Sequence, residues 1–163
     1  MLWIGGDGER ISLREGTCDV VWLSTVIDHI PDLARGAAEL RRVLRPQGRV
    51  LIRDAFADRL DGISLFRFFP EARRVMEATG LRLEEAIDAF SGEGLESLQT
   101  VDQLTAPTLQ AFNERVSWQA DSSLRSISDE AFNRGMDAIR KAMRREKSPT
   151  PVVGRLDLLV FEA

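Results

Sequence analysis

The side chains able to do chemistry gather in a few short stretches. His29 is the only histidine of the chain. An imidazole with an ordinary pKa of about 6.5 can take a proton from a hydroxyl, an amine or an acidic carbon near neutral pH. It can equally line a pocket or cap a helix, and the surrounding "VIDHI" leaves both roles open. Ser24 and Thr25 follow an apolar run, at the strand end where open α/β sheets hold their ligands; strand-end capping is their other role. Arg53 and Asp54 close a second apolar run on the same edge, either to meet a substrate or to pair with neighbouring side chains. Asp7 and Gly8 read as a polar turn. Cys18, the single cysteine, reads as a small apolar group rather than a nucleophile, and no metal site is expected.

The elements that must position these residues follow from patterning. "MLWI" (1–4) reads as the end of a strand. "DVVWLS" (19–24) is a continuous, β-branched apolar run, predicting a strand covered on both faces. Asp32 is a candidate N-cap for a helix whose apolar stripe is Leu33, Ala37, Leu40 and Leu44. Pro46 and Gly48 end that helix, and "RVLIRD" (49–54) is a second buried strand. A strand–helix–strand unit of this length predicts two parallel strands.

Downstream, Phe66, Phe68 and Phe69 cluster, and Pro70 suits the first turn of a helix ending near Gly80. Helix over 83–90, strand over 95–106, a helix beginning at Pro107, a longer helix capped by Ser128 and a terminal strand over 155–163 complete the order. Trp118 and the phenylalanines of 66–69 are expected in core or lid packing. The order β-β-α-β-α-α-β-α-α-β is that of an α/β layer fold.

Composition narrows the classes. The 163 residues suit one domain, expected as a single unit with 1–54 around a ligand edge and 55–163 supplying further helices and terminal strands. The formal net charge of −4 points to no nucleic-acid or anionic-membrane partner, and the basic run "RKAMRREK" (140–147) reads as a solvated helix end. One cysteine excludes an internal disulfide and fits a reducing compartment, so a soluble, cytoplasmic protein is expected.

The stretch "GDGERISLREGTCDVVWLSTVIDHIPDLARGAAELRRVLRPQGRVLIRD" resembles the middle of a class I S-adenosylmethionine-dependent methyltransferase of the small-molecule type. The resemblance rests on Asp7-Gly8, on Asp19 opening "VVWLS", on "VIDHI", and on "VLRPQGRVLIRD", in which Gln47 stands where the family usually has glycine. "LFRFFPEARRV", "SSLRSISDEAFNRGMDAI" and "PVVGRLDLLVFEA" are similar to the C-terminal half of such enzymes. The implied fold is an incomplete Rossmann-like methyltransferase sheet, strands three to seven of the family, with extra C-terminal helices.

The resemblance implies S-adenosylmethionine as cofactor, with Asp7 and Gly8 beside the adenine and Ser24 and Thr25 near its amino-acid portion. It places His29, as pocket residue or base, and Arg53 toward a small-molecule methyl acceptor. The family's glycine-rich cofactor loop is not found; "GGDGE" is followed by no helix. The expectation is therefore a truncated or split methyltransferase with low or no activity alone. The alternative is a degenerate, non-catalytic domain working through association. In either case the open edge of strand 19–24 predicts a homodimer or a partner chain.

Overall fold

The computed structural model describes residues 6–90 and 94–162. The expected strand at 1–4 lies outside the described residues. Four strands form one sheet in the order β1-β2-β4-β3, with β1 Cys18–Ser24, β2 Leu44–Asp54, β3 Gly94–Ala106 and β4 Val152–Glu162. Strands β1 and β2 run parallel, as the crossover length requires, and β4 returns antiparallel beside β2, pairing Arg49 with Glu162 through Asp54 with Asp157. The helices are α1 Leu33–Val43, α2 Pro70–Thr79, α3 Leu83–Ala89, α4 Leu109–Ser117, α5 Ser122–Arg125 and α6 Asp129–Arg145.

Local chemistry sets these boundaries. The Asp32 carboxylate accepts the Arg35 N–H at 3.0 Å and so starts α1, while Arg41 and Arg42 complement the negative end of its dipole. Gly36, Ala37, Leu40 and Val43 form its buried face. Thr108 caps α4 through the Ala111 N–H, and Ser128 caps α6 through that of Ala131. The helix expected from Pro107 thus begins two residues later, at Leu109, because Thr108 takes the cap position.

The chain divides into two compact units. The first comprises Met1–Phe56, Leu81–Thr100 and Asp157–Ala163. Its core joins Ala37 and Leu40 of α1, Val50 and Ile52 of β2, Phe90 after α3, and Leu159 and Phe161 of β4. Phe90 stacks on Phe161 with ring centroids 5.0 Å apart. The second unit comprises Ala57–Gly80 and Val101–Leu156. Phe68, Phe69, Phe112, Met136 and Ile139 fill its core, so the 66–69 cluster packs as expected. A side chain at Gly135 would collide with the Phe69 ring, which packs closely against the helix there.

Two expectations fail. Strand β1 is not covered on both faces: Val20 and Trp22 are 54% and 50% exposed, whereas Val21 and Leu23 pack on the first core. Alternation decides this, because α1 and the α3 segment cover only the face that carries Val50 and Ile52 in β2. Trp118 is 77% exposed rather than packed. It follows Val116 by two positions, off the stripe of Phe112 and Val116 that buries α4.

Candidate functional site

The site is built at the C-terminal ends of β1 and β2. Strand β1 ends at Ser24, whose hydroxyl oxygen accepts from Arg53 Nη2 at 2.7 Å. The same guanidinium lies 5.8 Å from the Trp22 ring centre. Thr25 then turns the chain with φ of 51°. A β-branched residue in this left-handed region stores strain of about 1–2 kcal/mol, the kind of torsion that surrounding contacts must enforce. They do so here from consecutive residues of β2. The Thr25 N–H donates to the Arg53 carbonyl at 3.0 Å, and the Asp54 Oδ2 accepts from Val26 N at 3.1 Å and from Ile27 N at 3.3 Å. A single 3₁₀ turn, Ile27–His29, follows.

His29 ends that turn with its side chain 62% exposed and Nδ1 3.8 Å from Asp28 Oδ1. Its exposure leaves the ring open to a second molecule. The Thr25 hydroxyl is committed locally, donating to the Ser24 carbonyl at 2.8 Å. Arg53, for its part, buries its Nε–H without a hydrogen-bond partner among the described residues.

Asp7 and Gly8 reach the same edge through Ile30. Gly8 approaches Ile30 so closely that a Cβ there would meet its Cγ1 at 3.4 Å, and a Cβ on Gly36 would meet the Ile30 Cγ2 at 2.8 Å. Ile30 is therefore wedged between the Asp7–Gly8 turn and α1. The Asp7 Oδ1 accepts the Glu9 N–H at 2.9 Å and the Asp7 carbonyl accepts from Arg10 N, which closes the turn. Asp7 remains exposed.

The segment that follows the turn is strapped to α1 chiefly by the Glu39–Arg42 pair, with Glu9 also accepting the Asp32 N–H at 2.9 Å and lying 3.6 Å from Arg35. Arg42 donates to the carbonyls of Ile11 and Leu13 at 3.0 and 2.9 Å and to Glu39 Oε1 at 2.7 Å, while Glu39 Oε1 accepts the Ile11 N–H at 2.8 Å. The Arg42 hydrogen bond pulls the Glu39 carboxyl down to about 2. Asp54 is shifted the other way: burial raises it, and the N–H groups of Ala55, Ile27 and Val26 only partly offset that.

The structure brings Asp7, Gly8, Ser24, Thr25, His29 and Arg53 to one edge of the first unit. Sequence reasoning placed Asp54 on this edge without its grip on the Val26–Ile27 backbone, and passed over the Glu39–Arg42 strap. Asp54 had a signal: in "RVLIRD" it shares the parity of Val50 and Ile52, so an acid was bound to point inward with them. The strap had none, since an i, i+3 Glu–Arg pair on a helix is ordinary surface patterning.

An open sheet of parallel β1 and β2 with an antiparallel β4 matches an incomplete Rossmann-like methyltransferase fold. A solved structure of similar fold is a protein assigned as a methyltransferase of an antibiotic biosynthesis pathway from Anabaena variabilis. It is 15% identical with a TM-score of 0.64, covering 96% of this chain and 72% of that one. The family model described as "Methyltransferase domain" matches residues 1–52, which hold Asp7, Gly8, Ser24, Thr25 and His29. Among curated proteins, the N-terminal Xaa-Pro-Lys N-methyltransferase 1 of Mus musculus is 31% identical over 99 residues, 50% of this chain and 44% of that protein. The 2-methyl-6-phytyl-1,4-hydroquinone methyltransferase of Synechocystis is 31% identical over 121 residues, 69% of this chain and 37% of that protein. Residues 1–52 of this chain thus match a methyltransferase-domain family, and the chain is similar in sequence to these methyltransferases. It spans less than half the length of these two curated relatives. Among the described residues, no helix is long and apolar enough to cross a membrane.

Proposed function

We propose that the edge formed by Asp7, Gly8, Ser24 and the Thr25–His29 loop binds S-adenosylmethionine and presents it to a small-molecule methyl acceptor. The observation that carries this reading is the convergence on Ile30. The family-matched turn at Asp7–Gly8 and the loop bearing His29 meet there, at the carboxyl ends of parallel strands. When bound, the cofactor supplies a methyl group on an electrophilic sulfonium.

The residues present fit that group in part. The exposed Asp7 carboxylate can accept from an exocyclic amine, and Gly8 carries no side chain to obstruct a flat ring. The Ser24 hydroxyl lies at the strand end beside the half-buried Arg53. Thr25 contributes through its backbone, since its hydroxyl is engaged. His29, exposed at the loop tip, takes the proton that the acceptor sheds, and Arg53 meets the acceptor's polar end. Orientation does the rest, because alignment alone contributes much of the rate of such displacements. No glycine-rich cofactor loop stands among the described residues, so low activity from this chain by itself belongs to the proposal. So does a cytoplasmic location.

Calorimetric titration with S-adenosylhomocysteine tests the reading. Saturable binding that weakens in Asp7→Ala supports it. Absence of binding overturns it in favour of a degenerate domain that acts by association.

A second reading, compatible with the first, concerns assembly. Strand β1 is the terminal strand of the sheet, its outer backbone edge unpaired among the described residues, with Val20 and Trp22 on the open face. We propose that a second copy pairs there. An antiparallel pairing centred on Val21 would set Val20 of each copy opposite Trp22 of the other, on one face, a favourable aromatic–β-branched arrangement. A dimer in sedimentation that Trp22→Lys dissociates is the expected result; a monomer at micromolar concentration rules the pairing out.

A further inference from the structure

The acid at the end of β2 is an unusual choice for its position. Asp54 is 6% exposed, on the same inward face as Val50 and Ile52, and stands opposite Asp157, a second buried acid, in the β2–β4 pairing. Like charges directly opposite each other across a strand pair destabilise a sheet, so packing alone would favour an apolar or amide residue here. Asp157 is engaged on its own side, accepting from Thr100 Oγ1 at 2.9 Å. The Asp54 carboxylate faces three backbone N–H groups: Ala55 on Oδ1 at 2.9 Å, and Val26 and Ile27 on Oδ2 at 3.1 and 3.3 Å.

Two of those donors lie just past the strained Thr25 and just before His29. Residues 53 and 54 therefore grip the turn on both sides of its left-handed torsion, Arg53 through its carbonyl and Asp54 through its side chain. We propose that Asp54 is a positioning residue: by accepting the Val26 and Ile27 N–H groups it fixes the direction in which Thr25 and His29 face the cofactor edge. The inference rests on the proposed methyltransferase site for its functional meaning, but the grip itself is a property of the loop and can be measured without substrate.

The chain offers a clean reporter. With a single histidine, the imidazole carbon–proton correlation of His29 is one unambiguous NMR signal. Asp54→Asn is the informative variant, because either amide orientation turns an NH₂ against a backbone N–H that now donates to a carboxylate oxygen. Asp157→Asn is the control, altering the facing acid without touching the loop. In Asp54→Asn the His29 signal should move and the Val26 and Ile27 amides should exchange about tenfold faster or more, the change that corresponds to about 1.4 kcal/mol of local opening. Affinity for S-adenosylhomocysteine should fall with it, and Asp157→Asn should leave all three near wild type.

If Asp54→Asn fails to fold, the wild-type protein carries the test. The Val26 and Ile27 amide proton shifts must then follow the titration of the Asp54 carboxyl. An unmoved His29 signal and unchanged exchange in Asp54→Asn, equal changes in Asp157→Asn, amide shifts blind to that titration, or a moved loop with unchanged ligand affinity would each overturn the proposal. Should wild type show no affinity for S-adenosylhomocysteine while the loop still moves, the grip stands and the methyltransferase reading falls.

Discussion

Two segments frame the candidate site, and they are secured by opposite electrostatics. The strap from Asp7 to Thr17 is tied to α1 by an ion pair near the surface: Glu39 and Arg42 hold each other and share the backbone groups of Ile11 and Leu13. The Thr25–His29 loop is tied to β2 by a buried carboxylate whose hydrogen bonds come from backbone N–H groups rather than from a cation. In the first case the cation holds the acid ionised; in the second, burial works against ionisation. A clamp of the first kind tolerates loss of a partner to solvent. A clamp of the second kind leaves N–H groups without an acceptor.

The largest effect should therefore come from Asp54→Ala. Hydrogen bonds to a charged acceptor contribute about 1.5–3 kcal/mol, and part of that is returned by no longer burying a charge, so a loss of about 1–2 kcal/mol of stability is expected. Urea unfolding would show it as a lower midpoint at unchanged slope. Arg42→Ala should cost less, because the strap's freed carbonyls at Ile11 and Leu13 can turn to water. It should instead raise proteolytic cleavage within 9–17 and weaken any ligand contact made by Asp7, while the His29 signal stays in place. Equal losses from the two substitutions would erase the distinction between the clamps.

Acid titration sharpens the contrast, since the two carboxyls shift in opposite directions. Glu39 has its folded pKa lowered, so its stabilisation is complete above the ordinary glutamate value of about 4.3 and is lost as pH falls toward about 2. Asp54 has its folded pKa raised, so the folded protein holds the proton more tightly than the unfolded chain. Stability from this group declines as pH rises from the ordinary aspartate value of about 3.9 through the folded one. Asp28 adds to the upward shift, and Asp157 faces the group from β4. Melting temperature against pH should thus show the wild-type advantage over Glu39→Gln shrinking in acid. The difference between wild type and Asp54→Asn should shift in wild type's favour as pH falls through its window. Parallel curves for both variants would contradict the two environments.

Much of the fold was legible in the sequence, and the reasons are local. The cap at Asp32, the Pro70 helix start, the Ser128 cap and the parallel pair of 19–24 and 49–54 each follow from chemistry within a few residues. The two-sided burial expected of β1 did not hold, because a continuous apolar run cannot reveal whether a second layer covers it; alternation in β2 and β4 carries that information. Trp118 misled for a related reason, since aromatic character outweighed its position off the α4 stripe. At the site, residue identity located His29, Ser24 and Asp7, whereas the clamps depend on pairs 28 residues apart in sequence, Ile11 with Glu39 and Val26 with Asp54.

The smallest expected effect separates strain that serves a site from strain that does not. Gln47 and Thr25 both adopt left-handed torsions, φ 67° and 51°, at opposite ends of the β1–β2 pair. Gln47 sits in the irregular stretch where Cys18 pairs with Leu44 but Val20 with Arg49, and its side chain is exposed. Glycine there would relieve about 1–2 kcal/mol of torsional cost while adding about 0.5–1 kcal/mol of unfolded-chain entropy, so Gln47→Gly should stabilise by about 0.5 kcal/mol. The His29 signal should not move. Thr25→Gly relieves the same torsion, yet it also frees the loop between the Arg53 carbonyl and the Asp54 carboxylate, so faster exchange at Val26 and Ile27 is expected alongside any gain in stability. If both glycine variants behaved alike, with a modest gain and an undisturbed loop, the torsion at Thr25 would be incidental. Divergence between them would mean that the same strain is tolerated at Gln47 and put to use at Thr25.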